Sequence, residues 1–177
     1  MRAFLDACVL YPTVLREVLL AVAEDGLYQP LWSPRVTEEW VRAAARLGPG
    51  QEARARGEAA LLDLRFPAAR VPDAAGAGIV LPDPADAHVA AAARAAGAEL
   101  IVTLNLRDFP PRTMAALGLA AEHPDAFLHA LWRAHPAEVA RAAERVRAEA
   151  ERLSGQPQPL RPLLKRAALP RLGKALG

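Results

Sequence analysis

Apolar and polar positions follow two periods along this chain, and together they predict short strands alternating with amphipathic helices. Ala3, Phe4 and Leu5 form an unbroken apolar run that stops at Asp6, the pattern of a short buried strand. Leu15, Val18, Leu19 and Val22 then recur at helical spacing, and Gly26 supplies the stop. Residues 28–32 read as a second strand. Ser33 before Pro34 is a helix start, with serine as the cap and proline, which has no N–H to lose, at the first position. That helix carries Glu38, Glu39 and Trp40 and stops at Gly48-Pro49, and a polar helix follows to about Phe66. Ile79-Val80-Leu81 is a candidate strand, with Val71 belonging to it or to a separate one. Asp83-Pro84 opens an alanine-rich helix ending at Gly97, and residues 99–103, ELIVT, form the plainest strand of the chain. A loop over 104–111, a short helix and a last strand near 119–122 complete this part.

This alternation predicts an α/β domain over residues 1–122, with a central, mainly parallel sheet flanked by helices in three layers. Beyond Pro124 the pattern changes. Residues 125–134 and 136–153 read as two helices, so 123–155 is expected to be a helical extension. Gln156-Pro157-Gln158-Pro159 reads as a linker into a basic tail over 156–177. There is no internal repeat.

Composition narrows the class. Hydrophobic residues make up 53% of the 177, enough for a packed core rather than a disordered chain. No apolar run reaches the ~18 residues of a membrane span. Asp6 interrupts the N-terminus before any signal-peptide hydrophobic region can form. The lone cysteine, Cys8, agrees with a reducing compartment, and a cytoplasmic protein is expected. The net charge of +2 conceals an asymmetry: residues 156–177 carry five cations (Arg161, Lys165, Arg166, Arg171, Lys174) and no acid, which leaves −3 on residues 1–155. A whole-chain charge argument for nucleic-acid binding therefore misleads.

Parallel α/β sheets place their sites beyond the carboxyl ends of the strands. That rule collects Asp6 after the first strand, Glu39 early in the helix after the second, Asp86 in the first turn of the alanine-rich helix, and Asn105 and Asp108 just past ELIVT. Four carboxylates on one rim repel each other unless a cation relieves them, and oxygen-only ligands suit Mg²⁺ or Mn²⁺ rather than zinc. Each residue also has a plainer reading. Asp6 suits a strand-end turn, Glu39 beside Glu38 a solvated helix face, and Asn105, the only asparagine, a turn. Asp83 suits a helix cap, and Asp86, three residues on, could be half of a capping box, so the two compete. His88, two positions past Asp86, is expected on a different helix face. Cys8 reads as a small buried residue, and Trp40 and Trp132 as packing residues.

FLDACVLY, SPRVTEE, ADAHVAAAA and VTLNLRDF, in this order, resemble the acidic motifs of PIN domains, and in particular of VapC-type toxin ribonucleases. The resemblance covers roughly residues 1–122. It selects Glu39 over Glu38 and Asp86 over Asp83. Asn105 stands where many members carry Asp. The resemblance implies metal-dependent hydrolysis of RNA phosphodiesters. Asp6, Glu39 and Asp86 would bind the metal, Asp108 would hold a second metal or orient water, and Asn105 would hydrogen-bond the site or substrate. It further implies a homodimer and a cognate antitoxin of a type II toxin–antitoxin pair. Competing readings are a non-catalytic RNA-binding or scaffold protein of the same fold, and a phosphotransferase of the haloacid dehalogenase type. The latter needs a second Asp where this chain has Cys8.

Overall fold

The computed structural model describes all residues from Met1 to Gly177. In chain order the elements are β1 (Arg2–Leu5), α1 (Ala7–Leu10), α2 (Thr13–Glu24), β2 (Gln29–Leu31) and α3 (Pro34–Ala45). Then come α4 (Gln51–Arg65), α5 (Ala87–Ala95), β3 (Leu100–Val102), α6 (Pro111–Ala116) and β4 (Ala120–Glu122). Four helices follow: α7 (Pro124–Ala134), α8 (Pro136–Ser154), α9 (Leu160–Arg166) and α10 (Pro170–Leu176). Short 3₁₀ turns occupy Pro84–Asp86 and Leu106–Asp108. No helix is long and apolar enough to cross a membrane.

Contacts gather these elements into two compact units, residues 1–11 with 29–122, and residues 12–28 with 123–177. The first unit holds a four-stranded sheet in the order β2-β1-β3-β4, parallel throughout and flanked by helices, the expected α/β architecture. Ala3, Phe4 and Leu5 in β1 are fully buried, as are Ile101 and Val102 in β3. Strands covered on both faces read as continuous apolar runs, which is why these two were conspicuous. From β1 the chain crosses first to β2 on one side and then to β3 on the other. The topological switch point therefore lies between β1 and β3.

Several local expectations change. Ile79-Val80-Leu81 forms no strand, and Val80 is 83% exposed. The pairing beyond β2 is taken instead by a single bridge of Trp32 to Arg70, fixed by Trp32 N–H to the Ala69 carbonyl and Val71 N–H to the Trp32 carbonyl, each 2.9 Å. Ser33 occupies the N-cap position of α3 but its hydroxyl is buried without a partner. Asp73 supplies the cap from a distant loop, accepting the Arg35 amide at 3.0 Å. That same loop is pressed onto the start of α5 at Gly76, where a β-carbon would come within 2.6 Å of the Ala87 side chain and 2.7 Å of its backbone.

The second unit is helical. The amphipathic face of α2 packs on α8 and α9, with Leu15, Val18, Leu19 and Val22 buried. Tyr28 and Phe127 meet edge to face at 5.0 Å, and Arg145 of α8 bonds Asp25 and the Ala21 carbonyl at the end of α2. Residues 156–177, expected as a separate tail, cluster with this unit. They form α9 and α10, which bury Leu163, Leu164, Leu169 and Leu172 while Leu160 is half-buried. Asp125, buried on α7, accepts the amides of Arg171 and Leu172 at 2.9 and 3.0 Å, so a carboxylate from another helix satisfies free N–H groups in the first turn of α10.

Candidate active site

Asp6 is the first residue past β1 and is only 5% exposed. One oxygen accepts the Ala7 amide at 2.6 Å, capping the four-residue helix α1. The other accepts the Thr103 hydroxyl at 2.7 Å and the Cys8 thiol at 3.1 Å. Leu5 is in register with Val102, so Asp6 and Thr103 are the first residues beyond adjacent parallel strands, and their bond spans the switch point. Burial pushes the Asp6 carboxyl above the usual carboxylate range. Hydrogen bonds from Thr103, Cys8 and Ala7 pull it down, and the charge of Glu39 pushes it up again. Cys8 also accepts the Leu104 amide at 3.2 Å. Its thiol is pushed up to about 12, by burial and by the charge of Asp6, so it serves as a donor rather than a nucleophile.

Asp83 and Asp86 separate cleanly. Asp83 is exposed and spends its side chain on the Ala85 amide at 2.9 Å, as a cap. Asp86 is half-buried and makes no capping bond. Its carboxyl is pushed up to about 6, first by burial and then by the charges of Asp6, Asp83, Asp108 and Glu39. Asp6, Glu39, Asp86 and Asp108, read from four distant segments, therefore share one electrostatic neighbourhood.

Glu39 comes from α3 and accepts from Nε2 of His88 at 2.7 Å, with Arg35 one helical turn back at 3.6 Å. A carboxylate can only accept, so Nε2 carries the hydrogen, while Nδ1 is buried without a partner. His88, expected on another face, thus holds a candidate site acid. The helical phase is reset by the 3₁₀ turn at Pro84–Asp86, which ends immediately before α5 begins. Asp108 is half-buried, with Arg107 at 3.8 Å. Asn105 is exposed, its side chain makes no capping bond, and only its backbone amide is engaged, on the Thr103 hydroxyl at 3.0 Å.

The donor set is hard oxygen throughout, crowded with like charge, which fits a hard divalent cation. No three His, Cys, Asp or Glu side chains converge on one point as a ready-made cage. Mg²⁺ dehydrates reluctantly and takes one or two carboxylates directly with water completing its shell, so an open rim suits it. Thr103 and His88 are the participants that sequence reasoning missed. The signal for Thr103 was present, since it follows the apolar run Leu100–Val102 as Asp6 follows β1. No signal marked His88, because it required knowing that a 3₁₀ turn precedes α5.

No curated protein and no solved structure gave a significant match to this chain. A family model, that of the PIN domain, matches residues 2–107. That match spans more than half of the chain and takes in β1, α3, α5 and β3, ending at Arg107, one residue before Asp108. The chain belongs to the PIN-domain family, whose members are generally nucleases.

Proposed function

We propose that this protein is a Mg²⁺- or Mn²⁺-dependent endoribonuclease of the VapC type, hydrolysing RNA phosphodiester bonds as the toxin of a type II toxin–antitoxin pair. The observation that carries the reading is the crowding around Asp86, whose carboxyl is lifted to about 6 by burial and by the charges of Asp6, Asp83, Asp108 and Glu39. Asp6, Glu39, Asp86 and Asp108 would hold the ion, directly or through water. When bound, such an ion lowers the pKa of a water nucleophile and offsets charge on the phosphate.

The chain's own groups have distinct tasks. Asp6 offers a carboxylate whose direction is locked by Thr103, Cys8 and Ala7. Glu39 is oriented by His88 and Arg35. Asp86 brings a third acid, half-buried and without a capping bond, to a rim whose like charges a cation would relieve. Asn105 has an amide free to donate to a phosphate oxygen, and Asp108 orients water or supports a second ion.

The test is cleavage of single-stranded RNA by the purified protein. Activity requires Mg²⁺ or Mn²⁺, is abolished by EDTA, and falls by at least ~10² in Asp6→Asn, the scale of a lost electrostatic element. Full activity of Asp6→Asn, free of contaminating nuclease, refutes the assignment. RNA binding with no cleavage under any metal selects the non-catalytic reading instead. The same proposal includes a homodimer and an antitoxin that inserts a basic side chain among the carboxylates, its charge replacing that of the ion. Sedimentation of a monomer alone at micromolar concentration removes the dimer from the proposal.

A further inference from the structure

A second cavity, remote in sequence from the carboxylates, combines aromatic rings with free cations. It lies within the second unit, has a volume of about 420 Å³, and is lined by His129, Trp132, Arg171, Lys174 and Ala175. His129 and Trp132 are three apart on α7 and therefore neighbours on its surface, with ring centroids 5.4 Å apart and planes tilted by 40°. Arg171 and Lys174 are three apart on α10 and both exposed.

Three features distinguish this cavity from ordinary surface. Trp132 is half-buried and lines the cavity, whereas Trp32 and Trp40 are 0% and 2% exposed in the first unit. The cations of the cavity form no ion pair. By contrast Arg145, Arg147 and Arg152 on α8 are tied to Asp25, Glu144, Glu151 and Glu149. A larger cavity of about 460 Å³ in the first unit holds three arginines, but Arg35, Arg56 and Arg70 pair with Glu39, Glu38 and Asp63. Finally, the two helices are locked together. Asp125 of α7 turns its oxygens to the amides of Arg171 and Leu172, leaving the Arg171 guanidinium unneutralised while fixing where α10 begins.

Flat rings beside unpaired cations match a ligand that carries a flat base and a phosphate. We propose that this cavity binds single-stranded nucleic acid, with a base stacked on Trp132 and His129 and flanking phosphates on Arg171 and Lys174. Stacking tolerates any base, and a cationic track follows any backbone, so binding is sequence-tolerant. A duplex hides its bases and cannot use the rings. The proposal stands on the second unit's geometry and does not require the chain to cleave RNA.

The experiment is titration of the full chain in EDTA with labelled ten-nucleotide single strands of RNA and of DNA, read by anisotropy and by quenching of Trp132 emission. EDTA keeps the measurement independent of cleavage, so failure here and failure of the nuclease reading are told apart. Trp132→Ala should weaken binding roughly 5- to 150-fold, the range for one lost stacked base, and Trp132→Phe should restore most of it. Arg171→Gln with Lys174→Gln should flatten the dependence of log affinity on log salt by about 1.4, at ~0.7 per phosphate contact on a single strand. Tighter binding of RNA than DNA names RNA as the ligand, and the reverse names DNA. The proposal is overturned if the oligonucleotide leaves tryptophan emission unchanged. It is also overturned if folded Trp132→Ala binds as wild type, or if polyglutamate binds where oligonucleotides do not, which would assign the cations to an acidic protein.

Discussion

Replacing Asp86 by asparagine takes one negative charge from the rim and keeps the shape of the side chain, so the metal-free protein should become more stable. The carboxyl stands at about 6 against an ordinary 3.8, with burial the first cause and the neighbouring acids the rest. A raised carboxyl means that between about pH 4 and pH 6 the folded chain keeps a proton that the unfolded chain has released. Wild-type stability therefore falls as pH rises through that window, and the penalty is complete above it. Taken in full the rise corresponds to about 3 kcal/mol. Asp86 is half-buried and solvent screens its neighbours, which reduces the figure to about 1–2 kcal/mol. In a chain of this length that is roughly 2–8 °C in melting temperature. The assay is thermal unfolding of wild type and Asp86→Asn in EDTA at pH 8 and pH 4, at constant ionic strength, then at pH 8 with Mg²⁺ or Mn²⁺. The variant should melt higher at pH 8, and its advantage should shrink towards zero at pH 4. The rise in melting temperature on adding metal should be smaller in the variant, because ligand stabilisation follows affinity. A variant that melts lower at both pH values would mean that Asp86 is a cap. An equal gain at both, or an intact metal response, would remove Asp86 from the rim and leave Asp83 as the acid to test.

Thr103→Val deletes the hydroxyl that donates to Asp6 and accepts from Asn105. It should cost about 1–3 kcal/mol in thermal unfolding. Because that hydrogen bond lowers the Asp6 carboxyl, its loss should move the acid limb of the cleavage pH profile upward; an unmoved limb denies Asp6 a role in that limb. Gly76→Ala places a methyl group 2.7 Å from the backbone of Ala87, the residue after Asp86, and should destabilise by about 1–3 kcal/mol while weakening the metal-induced rise in melting temperature. A normal metal response would show that the start of α5 can give way without disturbing the acids. Ala168, between α9 and α10, adopts a left-handed conformation with φ 60°. Ala168→Gly should gain about 0.5–1 kcal/mol by relieving it, less the glycine's greater unfolded-state freedom, and a loss on denaturant titration would contradict that balance.

The candidate acid Asp6 was legible because strand ends are legible. Phe4-Leu5 and Ile101-Val102 are apolar without a break, so the polar residues at which they stop, Asp6 and Thr103, sit at the rim by construction of a parallel sheet. The Asp83/Asp86 ambiguity was inherent in the spacing, since either residue can cap; only the bond from Ala85 settles which of them does. Ile79-Val80-Leu81 has strand composition, but a strand needs a neighbour with free backbone groups, and Trp32 had already paired with Ala69 and Val71. The stripe of α2 told which face is buried and said nothing of what covers it. Its partners lie more than a hundred residues onward, beyond the reach of periodicity.

That separation in sequence has a consequence for how the chain is made. Helix α2 is complete at Glu24, but α8, on which it packs, begins only at Pro136. At the usual pace of translation the intervening stretch takes roughly 5–20 s to synthesise. During that interval Leu15, Val18, Leu19 and Val22 wait on the nascent chain without the helices that will cover them, while β2, β3 and β4 are all synthesised before α8 begins. The second unit is thus obliged to assemble last, around a helix synthesised first. A ribosome stalled between residues 122 and 136 would display that bare stripe to whatever chaperone or protease arrives.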